Sequence, residues 1–504
     1  MAKIVGRKLI IDGFTYVKSR ERGSRVYWDC QKVRSGECLA RAVTLRSARP
    51  MDPIVVVSGP TTSRHNHPPY QDAAKAQATV EEIKRVAEAQ PALPPSVIVR
   101  DALAAVTPRV LSQIPLRENL RQTICRERRK KLPPRPKTIT DLEDLPDEYT
   151  KTSMDEQFVL HDNYNTQADD DGRVIVFATR KNVELLCRSP IWFLDGTFKV
   201  SPSIFTQLFT IIGVAQRNTP DGEDTPLPFV FALLEGKQET EYVEVLQVVK
   251  DAVARYRINA CVPVKIMADF EKAIMNACEA VYPGVHVTGC FFHLGQSMYR
   301  QVQAVGLQQQ YNDPEDDTIR TYCHMLLALA YIPPDDVPRM FVQLQNESPD
   351  EMDDLLKYFD KFYVRGVPAR ATRGRGRGAA KVPGRRAVRP RFRPETWNQY
   401  DAVIANSHKT NNVSEGWRNR FRTIVGKLHP DIYTFINELK KEQGNTEICL
   451  VELSLGRRVK KSPARKWITL QDRIRNIVLQ YTDYVNDDNE MEYLRNLANT
   501  IDIS

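Results

Sequence analysis

The sequence predicts a multidomain α/β protein, and three observations support this. Its 504 residues are enough for three or more domains. Residues 1–70 contain only short strand-like runs between glycine, serine and charged turns, which is typical of a small β-rich module. From about residue 155, runs that are apolar on both faces give way to alternating helix-like and strand-like stretches, which indicates a sheet covered by helices.

The two N-terminal segments differ in periodicity. The module at 1–70 has four strand-like runs, LIIDGFTYVKS, RVYWDCQ, CLARAVTL and PIVVVSG. Residues 71–150 are predicted to form a helical linker domain whose third short helix, RENLRQTICRERRKK, is basic. This pattern fits a helix-turn-helix DNA reader and equally a plain linker bundle.

The rest of the chain is predicted to be a sheet-containing core with a helical interruption. The runs VIVFAT, IWFLDGTFKV, QLFTIIGVAQ and PLPFVFALLEG precede a helix–strand–helix–strand order whose last strand is HVTGCFFHL. We assign the core to 155–296 and 395–440, inserted helices to 297–364 and a helical C-terminal region to 441–504. The stretch 365–394, rich in glycine, proline and arginine, is predicted to be a disordered loop.

The net charge of +9 is concentrated in a few segments. Residues 365–394 hold eleven basic side chains and no acidic one, and residues 1–70 hold thirteen basic and five acidic side chains. Further basic clusters lie at 126–131 and 457–461. A single cluster of this kind fits a solvated surface. Four together favour a nucleic-acid partner, because neutralised phosphates release condensed counterions.

Nothing in the sequence indicates secretion or a membrane partner. No run of about 18 apolar residues is present, and the N-terminus lacks the apolar segment of a signal peptide. The nine cysteines show no disulfide framework. We therefore expect a soluble intracellular protein with reduced thiols, two of which are metal ligands.

Three carboxylates stand out for their settings. Asp195 follows Ile191 and Phe193 in an apolar run, and Asp269 ends a second such run before a helix. Glu415 lies on a predicted amphipathic helix. Two strand acids of one sheet can meet at a cleft, and carboxylates suit the two divalent ions of phosphodiester chemistry. By spacing alone, a structural or surface role fits these acids as well.

The helix that carries Glu415 is predicted to have two faces. Apolar residues recur every four positions and should pack inward, namely Val413, Trp417 and Phe421. The polar face carries Glu415, Arg418, Asn419 and Arg422. We assign Arg418 and Arg422 to DNA contacts, which places the acid among DNA-binding groups.

Four motifs, LDGTFK, MADFEKA, GCFFHLGQ and TNNVSEGW, occur in this order. Together they resemble the Mutator-like element (MULE) transposase family over roughly residues 185–440. The resemblance implies an RNase H-like DDE core whose metal-binding acids are Asp195, Asp269 and Glu415, with Mg²⁺ or Mn²⁺ as the catalytic metal. It also implies an α-helical insertion before the last acid.

Some neighbours of these acids have more than one role open to them. Cys290 and His293 match the family's CxxH motif, but two ligands alone do not complete a zinc site. We expect His293 to orient active-site groups or contact DNA, with core packing and metal binding as alternatives. Glu271 is either an accessory acid or a partner of a helix N-terminal dipole.

The basic stretch contains RGRGRG, with Arg373, Arg375 and Arg377. It resembles an AT-hook, in which arginines enter a narrow minor groove. The usual central proline is missing, so we predict non-specific phosphate contacts here.

The N-terminal module contains a metal-ligand pattern. Cys30, Cys38, His65 and His67 form a Cys₂His₂ set suited to tetrahedral Zn²⁺, and the YWDC context resembles the FLYWCH zinc-finger family. Zinc would supply folding energy that so small a β-module lacks. The alternative is two core thiols and a turn at HNHPP. DNA contacts are assigned to Lys32, Arg34 and Arg41.

These resemblances predict a DDE transposase that binds terminal inverted repeats and target DNA, cleaves a strand and joins its 3′-end to the target. Synapsis of two ends implies a homo-oligomer, and the substrate implies the nucleus. The main alternative is a domesticated, transposase-derived nuclear regulator that binds DNA without catalysis. An RNA-binding or nuclease role of the same fold is a third.

Overall fold

The computed structural model divides the chain into two compact units, residues 1–134 and 135–504. It describes residues 2–5, 8–33, 36, 38–46, 53–59, 65–67, 71–90, 93–130, 132–164, 172–216, 218–219, 224–259, 262–369, 386–405, 412–426, 428–459 and 465–501. For residues 3, 5, 71, 412 and 413 only the backbone is described. No helix in this described part is long and apolar enough to cross a membrane.

The first unit begins with six strands in an antiparallel meander. They are β1 Ala2–Val5, β2 Lys8–Ile11, β3 Phe14–Arg22, β4 Arg25–Cys30, β5 Arg41–Leu45 and β6 Val56–Ser58. The prediction of one strand over LIIDGFTYVKS is wrong, because Asp12 and Gly13 form the turn of a hairpin. Both have positive φ, 50° and 83°, which an Asp-Gly pair adopts readily.

Four helices complete the first unit: α1 Gln71–Ala89, α2 Pro95–Leu103, α3 Pro108–Leu111 and α4 Arg117–Arg129. They pack around a small apolar core that includes Ile83, Ile98 and Leu120. Helix α1 also contacts β1 and β3, so the strands and helices share one unit that ends at residue 134 rather than 150. Arg128, in the basic cluster of α4, donates to carbonyls at the end of α1, those of Ala87, Gln90 and Leu93. Its role is therefore to cap a helix.

The second unit is built on a seven-stranded mixed sheet. Its strands are β7 Val159–Asp162, β8 Val174–Phe177, β9 Ile191–Thr197, β10 Gln207–Gln216, β11 Asp224–Leu234, β12 Lys265–Ala268 and β13 His286–Gly289. The order is β13-β12-β9-β10-β11-β8-β7. Strands β9, β10 and β11 form an antiparallel meander, and β12 and β13 extend it in parallel from β9. The carboxyl ends of β9, β12 and β13 therefore lie at one edge.

The helices of this unit contribute to two hydrophobic cores. They are α5 Asp147–Thr150, α6 Arg180–Arg188, α7 Glu239–Arg255, α8 Lys272–Val281, α9 Phe291–Ala304, α10 Gln308–Tyr311, α11 Thr318–Ala328, α12 Val337–Glu347, α13 Asp353–Phe359, α14 Pro394–Trp397, α15 Tyr400–Ile404, α16 Asn412–Val425, α17 Ile432–Ser454, α18 Arg465–Leu479, α19 Tyr481–Asn486 and α20 Glu490–Ala498. Helices α6, α7, α8 and the end of α17 share an apolar core with the sheet. The buried Asn182 of α6 donates to Gln443 of α17 at 2.7 Å, which fastens that late helix to the sheet domain.

The inserted helices and the C-terminal helices form the second core together. Phe341 and Leu344 of α12 lie in one buried cluster with Val478 of α18 and Leu497 of α20. The region assigned to 441–504 is therefore divided: α17 continues the sheet domain, whereas α18 to α20 complete the insertion.

Two further segments differ from the sequence prediction. HVTGCFFHL is a strand only to Gly289, since α9 begins at Phe291 and places His293 in its first turn. The two ends of the predicted disordered loop are ordered, because Val367 and Val388 exchange backbone hydrogen bonds of 2.7 and 2.8 Å. Residues 370–385, with Arg373, Arg375 and Arg377, lie outside the described residues.

Candidate functional site

Four side chains of the first unit converge as a candidate metal centre. The ligand atoms of Cys30, Cys38, His65 and His67 lie within 4.8 Å of one another. Cys30 Sγ is 3.3 Å from His67 Nε2, and Cys38 Sγ is 3.4 Å from His65 Nδ1. Cys30 ends β4 and Cys38 precedes β5, so the antiparallel pairing of these strands brings the two thiols together. Two thiols and two imidazoles suit tetrahedral zinc.

Aromatic residues of β3 hold the His65 ring. The Tyr16 hydroxyl is 2.7 Å from His65 Nε2, and the Phe14 ring stacks on the imidazole at 3.7 Å between centroids. When Nε2–H donates to Tyr16, the lone pair of Nδ1 faces the metal position, the usual arrangement around a ligating histidine. Burial lowers the pKa of His65 and raises the pKa of Cys30. The histidine is thus kept neutral, and the Cys30 thiol must lose its proton when metal binds.

The basic residues assigned to DNA contacts in this module are only partly described. Lys32 lies in the 3₁₀ turn Gln31–Val33, and Arg41, whose side chain is 73% exposed, is 3.3 Å from Asp29. Arg34 lies outside the described residues. Their contact with DNA stays a prediction.

In the second unit, Asp195 lies on β9 and Asp269 directly follows the neighbouring parallel strand β12. Met267 of β12 pairs with Phe193 of β9, and each acid comes two residues after its member of this pair. Asp195 lies within β9 rather than at its end and is only 1% exposed. Burial, together with the charge of Asp269, raises the pKa of Asp195 to about 7. Its Oδ2 is buried without a hydrogen-bond partner among the described residues.

Glu415 joins these acids through α16, which lies against β9. Trp417 and Phe421 are buried as predicted, and the Trp417 indole donates to the buried Glu442 of α17 at 2.8 Å, which fixes the helix. The side chain of Val413 lies outside the described residues. The Glu415 side chain, in the first turn of α16, is 38% exposed.

Arg418 links two of the acids. Its Nη1 is 3.5 Å from Asp195 Oδ1, and its Nη2 is 3.9 Å from Glu415 Oε1. These contacts are not predicted by the helical pattern, which assigns Arg418 to DNA contacts on the polar face of α16. Arg422, one turn later, is exposed.

His293 lies beside the second acid. Its Nδ1 is 2.7 Å from Asp269 Oδ1. Burial lowers the pKa of His293, but contacts with Asp269 and Cys290 outweigh it and raise that pKa to about 10. Cys290 is 1% exposed, and its backbone N–H donates to Ala268 at 3.0 Å. His293 thus contacts one of the acids, and its role in orienting active-site groups or contacting DNA stays a prediction.

Glu271 is held by a buried relay that sequence reasoning missed. It is the N-cap residue of α8, but its side chain makes no capping hydrogen bond. Instead the Tyr242 hydroxyl donates to Glu271 Oε1 at 2.8 Å, and Gln207 donates to Tyr242 at 2.7 Å. These three residues come from separate elements, so no local pattern marks the contact.

The potential metal-ligand atoms lie less close together in the acidic cleft than in the finger. Within the described part of the chain, only the finger cluster brings three or more potential ligand atoms this close. The cleft nevertheless fits divalent cations, because it offers carboxylate oxygens, one of them buried and unpartnered, and already attracts Arg418 and His293.

Fold and sites define a protein with a Cys₂His₂ module and a mixed α/β domain that carries an acidic cleft. Residues 3–67 match the model of the FLYWCH zinc finger domain, and residues 191–297 match that of the MULE transposase domain. The chain thus contains both domains, as the motifs predict. The MULE match includes Asp195, Asp269, Cys290 and His293 and ends before Glu415. No curated protein matches the chain.

The two matches support a transposase-related DNA-binding protein. The FLYWCH match and the Cys₂His₂ cluster together support Zn²⁺ as the metal of the finger.

Proposed function

We propose that the chain is a DDE transposase that cleaves transposon-end DNA and transfers the strand to target DNA. The observation that supports this proposal is that Asp195 on β9 lies beside Asp269, which directly follows the adjacent parallel strand β12, while Arg418 contacts both Asp195 and Glu415. An antiparallel meander extended by two parallel strands is also the arrangement expected of an RNase H-like core.

The acids would hold Mg²⁺ or Mn²⁺. Asp195, Asp269 and Glu415 would supply the carboxylate oxygens that hold them. When bound, two such ions activate the attacking oxygen and stabilise the leaving oxygen of a phosphodiester. The protein's own groups prepare this site: His293 fixes one Asp269 oxygen, and Arg418 compensates the charge of Asp195 and Glu415.

The finger would read the terminal inverted repeats, with zinc holding its strands in place. Pairing of two transposon ends would require a homo-oligomer, and a chromosomal substrate would place the protein in the nucleus. These parts of the proposal rest on the domain matches and on the basic segments of the chain.

The test is metal-dependent cleavage of DNA from the flanks of the gene. Asp269→Ala should abolish cleavage and leave DNA affinity nearly unchanged, because the acid holds metal rather than phosphate. Glu315→Ala, which removes an exposed acid of the insertion, is the matched control and should cleave like wild type. A large loss of affinity in Asp269→Ala would indicate a structural role. Binding without cleavage by either protein would favour the domesticated regulator.

A further inference from the structure

The end of the basic stretch is an ordered segment beside the acidic cleft. Val388 pairs with Val367, and the N–H of Phe392 donates to Phe362 at 2.9 Å. Gly366 has a φ of +79°, and a side chain there would collide with the Val388 carbonyl, so only glycine allows this approach. The segment is thereby fixed to the insertion.

Around Phe392 the side chains differ in exposure, since Phe392 is buried whereas Arg391 and Arg393 are exposed. Phe392 is 6% exposed and packs edge-to-face on Phe270 at 5.1 Å. Phe270 directly follows Asp269, and α14, which begins at Pro394, contacts β13. The anchor of the segment therefore lies at the sheet edge that carries the candidate catalytic acids.

The outward side chains are arginines. Arg389, Arg391 and Arg393 are exposed, and none of them pairs with an acidic side chain among the described residues. By contrast, Arg365 at the start of the stretch pairs with Asp360 at 2.6 Å. The three arginines lie within five consecutive residues, and the chain bends at Arg391 and Phe392. Arginine forks are well suited to phosphate oxygens.

We propose that Arg389, Arg391 and Arg393, here called the arginine ridge, bind the phosphate backbone of the DNA strand that flanks the scissile bond. The ridge rests on the proposed function for its location at a cleavage site. Its charge and its anchoring through Phe392 to the residue after Asp269 make it a guide that leads the strand into the cleft.

The ridge can be tested by the salt dependence of binding. The probe is a labelled duplex with a single-stranded flank, and affinity is measured across a series of KCl concentrations. In the triple variant Arg389→Ala, Arg391→Ala, Arg393→Ala, the slope of log K against log salt should become shallower by about 2 to 3, since each phosphate contact contributes about 0.7 to 0.9. The three Arg→Lys substitutions keep the charge and should restore the slope.

The matched control removes three exposed basic side chains of α18: Arg465→Ala, Lys466→Ala and Arg473→Ala. Its slope should equal that of wild type. An unchanged slope in the ridge variant, or an equal loss in the control, would overturn the proposal. Cleavage by wild type is scored in parallel: a ridge effect without wild-type cleavage would retain phosphate binding by the ridge but reject both the catalytic proposal and the location of the ridge at a scissile bond.

Discussion

The burial of the Asp195 carboxyl destabilises the protein when no metal is bound. Its carboxyl is 1% exposed, and both burial and Asp269 raise its pKa to about 7 from 3.8. A folded state with the higher pKa binds more protons than the unfolded chain between these values. Its stabilising contribution is therefore complete below about pH 4 and is lost as the pH rises to about 7.

Asp195→Asn should consequently stabilise the metal-free protein at pH 8, by the order of 2 to 4 kcal/mol, because the amide removes a buried charge. The gain should shrink as the pH falls towards 5. Thermal unfolding in the absence of divalent ions at both pH values measures it. Mg²⁺ should then raise the midpoint of wild type more than that of the variant. A gain that is the same at both pH values would contradict this explanation.

Tyr16 should act on zinc through His65. Tyr16→Phe removes the hydroxyl that is 2.7 Å from His65 Nε2, so the ring is less well oriented and zinc affinity should fall about 10- to 100-fold. Competition with a chromophoric chelator measures the affinity. Tyr27→Phe, on the neighbouring strand β4, is the control and should leave it unchanged. Equal affinities of the Tyr16 variant and wild type would show that the hydroxyl does not orient the ligand.

At the scale of single residues, the sequence predicted which residues form the metal site of the finger, but it did not predict which side chains contact the acids. Both thiols and both histidines of the finger converge as expected, since their types and spacing define the site. The helical pattern predicts only that Arg418 lies on the polar face of α16. Its contact with Asp195 was not predictable, because that contact depends on how α16 is rotated against β9. The Tyr242–Glu271 contact joins α7 to the start of α8, and no periodicity within either helix reveals it.

Among the elements, the end of β13 lies against Phe270, the residue that follows Asp269. A side chain at Gly289 would collide with the Phe270 ring, which lies between the strand ends and the insertion. Phe270 adjoins Asp269, so the packing of this ring also sets the position of the acid.

Gly289→Ala should therefore displace Phe270 and reduce strand cleavage strongly while the fold persists. Gly444→Ala is the matched control, because an added methyl meets nothing within 4 Å at that site in α17. It should stabilise the helix by about 0.5 to 1 kcal/mol. Cleavage assays and thermal unfolding of both variants decide the matter. Full activity of Gly289→Ala would mean that Phe270 does not position the acid.

Element types were predictable where the pattern was long, and boundaries were less so. Helix α7 was recognised because apolar residues recur at helical spacing through its 17 residues. The strand predicted over HVTGCFFHL is too long, because Phe291 and Leu294 are apolar and fit a buried strand as well as a buried helix. Only packing against the insertion selects the helix. The hairpin at Asp12-Gly13 had a local signal in its Asp-Gly pair.

In the whole second unit, the chain leaves the sheet domain to form the insertion and returns to the sheet domain with α16 and α17. It then packs against the insertion again with α18 to α20. Helices α18 to α20 complete a core begun more than a hundred residues earlier. The helical nature of these segments was predictable from periodicity, but their partner was not, because an apolar helix face does not specify which surface it covers.

Leu497→Ala should accordingly destabilise the insertion by about 2 to 5 kcal/mol, since Leu497 is fully buried in the shared core. Leu479→Ala, at a leucine that is 54% exposed on α18, should change stability by less than about 0.5 kcal/mol. Urea unfolding of the full chain provides the comparison. Similar values for the two variants would show that the C-terminal helices do not complete this core.

The hydrogen bond between Asn182 and Gln443 spans 261 residues of sequence. A ribosome adds about 5–20 residues per second, so Gln443 emerges roughly 13 to 50 s after Asn182. Asp195 and Asp269 are made earlier in this interval, and Glu415 follows Asp269 by 146 residues, or roughly 7 to 30 s. The nascent protein therefore holds two acids of the cleft well before the third, and it cannot assemble the full set until the basic segments at 1–70 and 365–394 have been made.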